Sequence, residues 1–399
     1  MGLAGAGVNR RNATIIARSH SRARRGVPGL DYPVTMTEQP AFWRTLPPRV
    51  DAATREELTR LLGPLSRTDG ATPLVERALE AVHGGKRLRG VCAFLGASLV
   101  SGLPPEDNRV DPVAGALELY QASALAHDDV IDHADTRRGR PTPHVSFADL
   151  HRESGWSGDA DEFGRSAAIL LGDLLLSAAD HAVSRAGEGV GEARSRALLD
   201  RFTLMHAEVA LGQYLDVRAE QIPLDADDPR AIALADVVQV VRLKSARYSV
   251  VHPTVLGMVW AGASPRAVAA VEAVLEPWGC AFQLRDDDLG VFGDPAVTGK
   301  PAGDDLLEGK RTALLALTWR EADHAGRDLI ARTLGRRDLG ADDVEALTRL
   351  ISVNGRAPHE AMIEDLLQRG RTALAESGLD APARGLLDEL GMLLVRRSA

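Results

Sequence analysis

The chain has two cysteines, Cys92 and Cys280, in unrelated contexts. They form neither a zinc-ligand spacing nor a disulfide framework, so a reducing, cytoplasmic setting is the expectation. Aromatic residues are scarce, at 4% of 399. No stretch alternates apolar and polar residues between turn signals, and no β-sheet is expected. Long apolar runs are missing as well. The stretch 167–179 is interrupted by Asp173 and the stretch 250–263 by Pro253, so no membrane span is expected. A basic surface is also lacking: the formal net charge is −9, which excludes a general nucleic-acid binder. Lysine is scarce too. It accounts for Lys86, Lys244, Lys300 and Lys310 alone among 47 basic residues, a bias in keeping with a GC-rich coding sequence.

What remains is helix-forming material. Hydrophobic residues make up 45% of the chain, led by Ala and Leu. The length would allow one large domain or two. Apolar periodicity from Ala41 onward predicts helices over 54–62, 73–83, 88–101, 112–132, 165–186, 192–218, 232–248, 249–261, 265–289 and 305–321, with three shorter ones to the C-terminus. Ser264 before Pro265 marks a helix start. Loops rich in Gly, Pro and charge are expected over 137–164 and 290–303. With no repeat and no long linker, the expectation is an all-α, single-domain bundle of about ten or more helices.

Residues 1–36 stand apart: Arg10, Arg11, Arg18, Arg22, Arg24 and Arg25 precede the first acid, Asp31. Such a leader can be a transit peptide. No amphipathic face accompanies the arginines, so a disordered extension is preferred, or a start placed too early with Met36 opening the fold. The all-α domain then covers residues 37–399.

Two acidic clusters carry the chemistry. His127-Asp128-Asp129-Val130-Ile131-Asp132 follows a largely apolar run from Ala116. Helical spacing puts Asp128 and Asp132 one turn apart on one face, with Asp129 beside them. Carboxylates stacked in this way repel one another unless a cation relieves them, and Mg²⁺ takes one or two carboxylates together with phosphate oxygens. Gln283-Leu284-Arg285-Asp286-Asp287-Asp288 closes a second apolar helix, where the helix dipole disfavours anions. A solvated acidic face, the ordinary explanation, fits neither place. Two facing carboxylate sets could clamp several divalent ions round one polyanion.

The four lysines sit in polar or glycine-containing motifs: Gly84-Gly85-Lys86-Arg87-Leu88-Arg89, Leu243-Lys244-Ser245, Thr298-Gly299-Lys300-Pro301 and Glu308-Gly309-Lys310-Arg311. Arg137-Arg138-Gly139 follows the first acidic cluster, where guanidinium forks can grip a diphosphate. Lys86 and Arg89 fall at a predicted helix start, whose free N–H groups also favour an anion.

From about Arg55 to its end, the chain resembles the trans-isoprenyl diphosphate synthases, the polyprenyl synthetase family. GGKRLRG, HDDVIDHADTRRGRPT, GQYLD, LKSARY and FQLRDDDLGVFGDPAVTGKPAGDDLLEGKRT carry the resemblance in order, and the last is highly specific. The resemblance implies helices around a central substrate cavity, a homodimer, several Mg²⁺ ions per site, and condensation of isopentenyl diphosphate with an allylic diphosphate. It also implies that Asp128, Asp129 and Asp132, helped by Asp286 and Asp287, bind Mg²⁺. Arg137, Lys244, Gln283 and Lys300 would meet the allylic diphosphate, with Ser245 and Lys310 nearby, and Lys86, Arg89 and Arg138 would hold isopentenyl diphosphate. Lys244, Asp286 and Arg137 would be the residues closest to catalysis.

The sequence departs from the family pattern in three places. Gly290 replaces the last Asp of the second motif, Gln121 stands where many members have His, and Gly90 replaces a frequent Pro. Small residues at Ser123 and Ala124, one turn before Asp128, should let a growing chain pass. Tyr120, a turn deeper, would stop it near geranylgeranyl diphosphate. Two other readings share these features: a class I terpene cyclase, and a non-catalytic partner subunit.

Overall fold

The structure is a computed structural model and describes residues 41–102, 108–293, 304–336 and 338–395. The leader and Lys300 lie outside the described residues. The helices are α1 (Ala41–Leu65), α2 (Thr72–Ala81), α3 (Leu88–Ser101), α4 (Asp111–Ile131), α5 (Pro143–Glu153), α6 (Ala160–Ala186), α7 (Glu192–Gln221) and α8 (Leu234–Val240). A π-helix (Val241–Val251) continues α8. It is followed by α9 (His252–Ala261), α10 (Pro265–Phe292), α11 (Asp304–Glu308), α12 (Ala313–Glu321), α13 (His324–Thr333), α14 (Ala341–Asn354), α15 (Arg356–Glu376) and α16 (Ala381–Val395). The fold is all-α, as expected.

Helix α4 runs through the middle. Its Val113, Ala116, Leu117 and Leu119 are buried, and it packs against α6, α1 and α3. Helices α3 and α9 touch backbone to backbone. A Cβ on Gly96 would lie 1.8 Å from the Thr254 carbonyl oxygen, and one on Gly257 would lie 1.9 Å from that of Ala93. Any larger residue at either position would force the helices apart. Helix α10 packs along α15 and the π-helix. Its N-terminus is the one read from sequence, with the Ser264 hydroxyl accepting from the Ala267 N–H at 3.2 Å.

Several boundaries differ from expectation. The region expected as loop over 137–164 contains α5 and a hairpin, β1 (Thr136–Arg137) with β2 (Arg140–Pro141). Its turn places Arg138 at φ 53° and Gly139 at φ 73°, the positive-φ pair a tight hairpin needs. Two-residue strands are too short to show alternation. The helix expected over 232–248 divides where the π-helix begins. That expected over 305–321 is broken near Gly309, at φ 85°. Among the described residues four helices follow Glu321 rather than three, and α15 is 21 residues long. Helix α6 runs straight through Asp173, whose side chain is 62% exposed. Among the described residues it is the one helix long and apolar enough to cross a membrane by length and composition. Here it packs against α4 and α5.

Candidate active site

A cavity of about 1170 Å³ opens among α3, α4, α7, the π-helix and α10. Most of the residues expected from sequence line it. Helix α4 contributes Tyr120, Gln121, Ser123, Ala124 and Asp128; Lys86 just before α3 and Arg89 in its first turn follow; the hairpin contributes Arg138. The π-helix adds Lys244 and Ser245, and α10 adds Gln283 and Asp286. Asp129, Asp132, Arg137, Asp287 and Lys310 are not on its wall.

The first cluster divides by direction. Asp128 faces the cavity, accepts from Gln213 Nε2 at 3.2 Å and lies 3.9 Å from Lys244 Nζ. Asp129 turns inward, is 2% exposed, and accepts from Arg137 Nε at 2.6 Å. Burial pushes its carboxyl up to about 6, against the pull of Arg137. Arg137 also reaches Asp128 at 3.4 Å, so it ties the two acids together behind the wall. Asp132 lies 3.4 Å from Lys310 Nζ, which also pairs with Glu308 at 2.5 Å. In the second cluster Asp286 faces the cavity, while Asp287 accepts from Gln283 Nε2 at 2.9 Å. Asp288 is buried and turned toward Arg356 on α15.

Lys244 is placed by close backbone packing. A Cβ on Gly212 would lie 2.6 Å from the Lys244 N, so glycine lets α7 and the π-helix meet. Burial alone would depress the Lys244 ammonium, but Asp216, at 2.6 Å from its Nζ, and Asp128 hold it above its usual value. Arg247, on the same π-helix, points away into a charged network, donating to Glu208 at 2.6 Å and Glu276 at 2.7 Å. His252 reaches the same Glu208 carboxylate at 2.8 Å.

The cations near the start of α3 differ in role. Arg87 is buried and tied to Asp51, the Val82 carbonyl and Glu118. Arg89 donates to Ser249 Oγ at 2.7 Å, with its guanidinium 4.0 Å over the Tyr248 ring. The Arg138 guanidinium is held below its ordinary value by burial and by its neighbours Arg137 and Arg87. Cations crowded this closely gain from an anion. Gly90 donates its N–H to Glu118 Oε1 at 3.0 Å, a bond a proline there could not make. Gln121 accepts from the Tyr248 hydroxyl, which leaves its amide N–H groups for other partners.

Part of the wall is apolar and carries rings. Tyr120 stacks on His206 of α7 at 4.1 Å and 7°, and meets Tyr248 edge-on at 5.4 Å. His206 also packs on Phe202 at 4.3 Å, and burial pulls its imidazole down to about 4, so it is neutral near pH 7. Sequence reasoning missed Gln213, Asp216 and His206. Gln213 and Asp216 were legible in GQYLD, since residues three apart share a helix face. His206 carried no local signal.

A cavity that gathers carboxylates and cations beside an apolar wall has the chemistry of a site for amphiphilic diphosphates. The profile of the family "Polyprenyl synthetase" matches residues 72–351. The geranylfarnesyl diphosphate synthase of Aeropyrum pernix is 32% identical over 317 residues, covering 79% of this chain and 91% of its own. The geranylgeranyl diphosphate synthase of Mycobacterium tuberculosis is 30% identical over 281 residues, covering 70% of this chain and 71% of its own. Among solved structures, a geranylgeranyl pyrophosphate synthase from Corynebacterium glutamicum, complexed with isoprenyl diphosphate and magnesium, superposes with a TM-score of 0.76. It is 33% identical, and the match covers 88% of this chain and 99% of that one. The chain belongs to the polyprenyl synthetase family.

Proposed function

We propose that the chain condenses isopentenyl diphosphate with an allylic diphosphate to give a longer trans-prenyl diphosphate, chiefly geranylgeranyl diphosphate, and requires Mg²⁺. The observation that carries this reading is a single cavity that presents Asp128 and Asp286 together with Lys86, Arg89, Arg138 and Lys244 and that is also lined by Ala124, Leu125, Leu176, Val209 and Phe282. Among the described residues no three acidic, histidine or cysteine side chains gather as a ready-made metal site. That suits an ion completed by substrate oxygens, because Mg²⁺ takes few carboxylates and several phosphate or water oxygens. Asp128, Asp132, Asp286 and Asp287 would hold it, with Asp129 acting through Arg137. When bound, Mg²⁺ neutralises charge as it develops on the leaving pyrophosphate.

The chain's own groups do the rest. Lys244, Gln283 and, by resemblance, Lys300 orient the allylic diphosphate, and Lys86, Arg89 and Arg138 anchor the isopentenyl diphosphate. The Gln121 amide is free to donate to that second diphosphate. The apolar wall keeps water from the allylic cation, which the isopentenyl double bond attacks before a proton leaves to the departing pyrophosphate.

Product length is set where Tyr120 closes the tunnel, since Ser123 and Ala124 leave the preceding turn open. Mass analysis of products from isopentenyl diphosphate with dimethylallyl, geranyl and farnesyl diphosphates tests the whole reading. Ser123→Phe should shorten the product to farnesyl and Tyr120→Ala should lengthen it; an unchanged product in both would sink the tunnel assignment. Turnover of an allylic diphosphate alone would indicate a cyclase, and inactivity of the purified single chain a partner subunit. A homodimer in the cytoplasm completes the proposal. Leu170, Leu204, Leu211 and Tyr214, 45–63% exposed on α6 and α7, support an apolar interface, and sedimentation of the full chain tests it.

A further inference from the structure

The four charged residues that flank and follow the second aspartate pair form a pattern that the proposed chemistry does not use. Arg285, just before Asp286, donates from Nη1 and Nη2 to the two carboxylate oxygens of Glu360, at 2.7 and 2.8 Å. Asp288, just after Asp287, lies 3.6 Å from Arg356 Nε. Arg356 also sits 4.6 Å over the Phe292 ring. Arg285 and Asp288 are three residues apart on α10, and Arg356 and Glu360 are four apart on α15, so each pair occupies one helix face. The two ion pairs have opposite sense. A one-turn slip of α15 along α10 would set Arg356 against Arg285 in one direction, or Glu360 against Asp288 in the other, and like-charge repulsion disfavours both. Apolar and backbone contacts fix the same register further along, where Trp278 Nε1 donates to the Leu367 carbonyl at 3.2 Å. Helix α15 begins after residue 351, where the family profile ends.

We infer that α15 is part of the active-site scaffold: Arg356 and Glu360 are positioning residues that hold Asp288 and Arg285, and thereby aim Asp286 at the cavity with Asp287 beside it. The third aspartate of the cluster is then an anchor and not a ligand. Two carboxylates side by side repel, and without fixed neighbours their helix could turn or fray to separate them. Tethering the residue on each side to a second helix removes that freedom. The inference rests on reading Asp286 and Asp287 as the carboxylates that meet metal and diphosphate.

The test uses the full-length chain and inorganic pyrophosphate with Mg²⁺, with binding measured by calorimetry and the ligand-free melting temperature recorded in parallel. Arg285→Glu and Glu360→Arg should each weaken binding by about tenfold or more, as loss of a ligand-orienting partner does. The Arg285→Glu/Glu360→Arg double variant should recover most of it, because the pair is restored with its charges exchanged. A merely structural role would lower the melting temperature and leave the affinity of the folded protein unchanged. Glu360→Gln takes the place of any reversed single variant that fails to fold. Wild-type affinity in the single variants, or a folded double variant as weak as the singles, overturns the proposal. Asp286→Asn run alongside isolates the underlying reading: if it binds pyrophosphate as wild type does, the ligand assignment has failed, whatever the clamp variants do.

Discussion

The two aspartate clusters have similar compositions and are held by different means. The first is secured locally. Arg137, eight residues on in a two-residue hairpin, folds back to grip both Asp128 and Asp129. The second is secured at long range by a helix that begins more than sixty residues later. In each, one aspartate faces the cavity and another is spent on orientation. The comparison teaches that a run of acids does not equal a run of ligands. Each carboxylate that meets the substrate needs neighbours that fix its direction, and some of those neighbours are themselves acids.

The comparison can be broken most directly at turnover. Asp128→Asn and Asp286→Asn should each lower kcat by about 10²–10³-fold, the loss typical of a group that stabilises developing charge. Asp288→Asn should cost much less. An equal loss at Asp288 would make it a ligand and place the second site out of register. The next largest effect separates local from distant support. Arg137→Met leaves the Asp129 carboxylate buried beside an apolar side chain, and should lower stability by roughly 3–5 kcal/mol in denaturant titration. Adding Asp129→Asn should recover part of that loss. No recovery would mean that Arg137 stabilises the fold by some route other than its pair.

The smallest effect on the clusters themselves should come from behind the π-helix. Burial alone would raise the Glu208 carboxyl, but hydrogen bonds from His252 and Arg247 outweigh it and hold the group at about 2. Its folded value lies below its unfolded one, so its stabilising contribution is complete above pH 4.5 and lost as pH falls toward 2. The stability difference between wild type and Glu208→Gln should therefore shrink over that window. A difference that stays constant with pH would show that Glu208 acts by packing and not by charge.

Much of this was legible in the sequence. Periodicity and the Ser264-Pro265 start located α10, and the ends of α3 agree with expectation to the residue. Asp128, Asp286, the lysine after two glycines at 86 and Arg138 stood out by spacing alone, and all four line the cavity. Direction was not legible. Whether Asp129 or Asp128 faces the substrate depends on Arg137, and the role of Asp288 depends on Arg356, which no spacing rule connects to it. The hairpin was too short for alternation to reveal. The π-helix was hidden because apolar periodicity cannot distinguish one extra residue per turn from ordinary irregularity.

That wider turn has a consequence for how charge is shared out. In an α-helix, residues three apart are neighbours on one face, and Lys244 and Arg247 would compete for the same acids. The π-helix parts them. Lys244 takes Asp216 on the substrate side, while Arg247 takes Glu208 and Glu276 on the other. One short segment thus serves two sets of acids, one beside the cavity that an arriving diphosphate would enter and one that is not on that cavity's wall. Substrate can come and go without disturbing the charges that keep its binding site in shape.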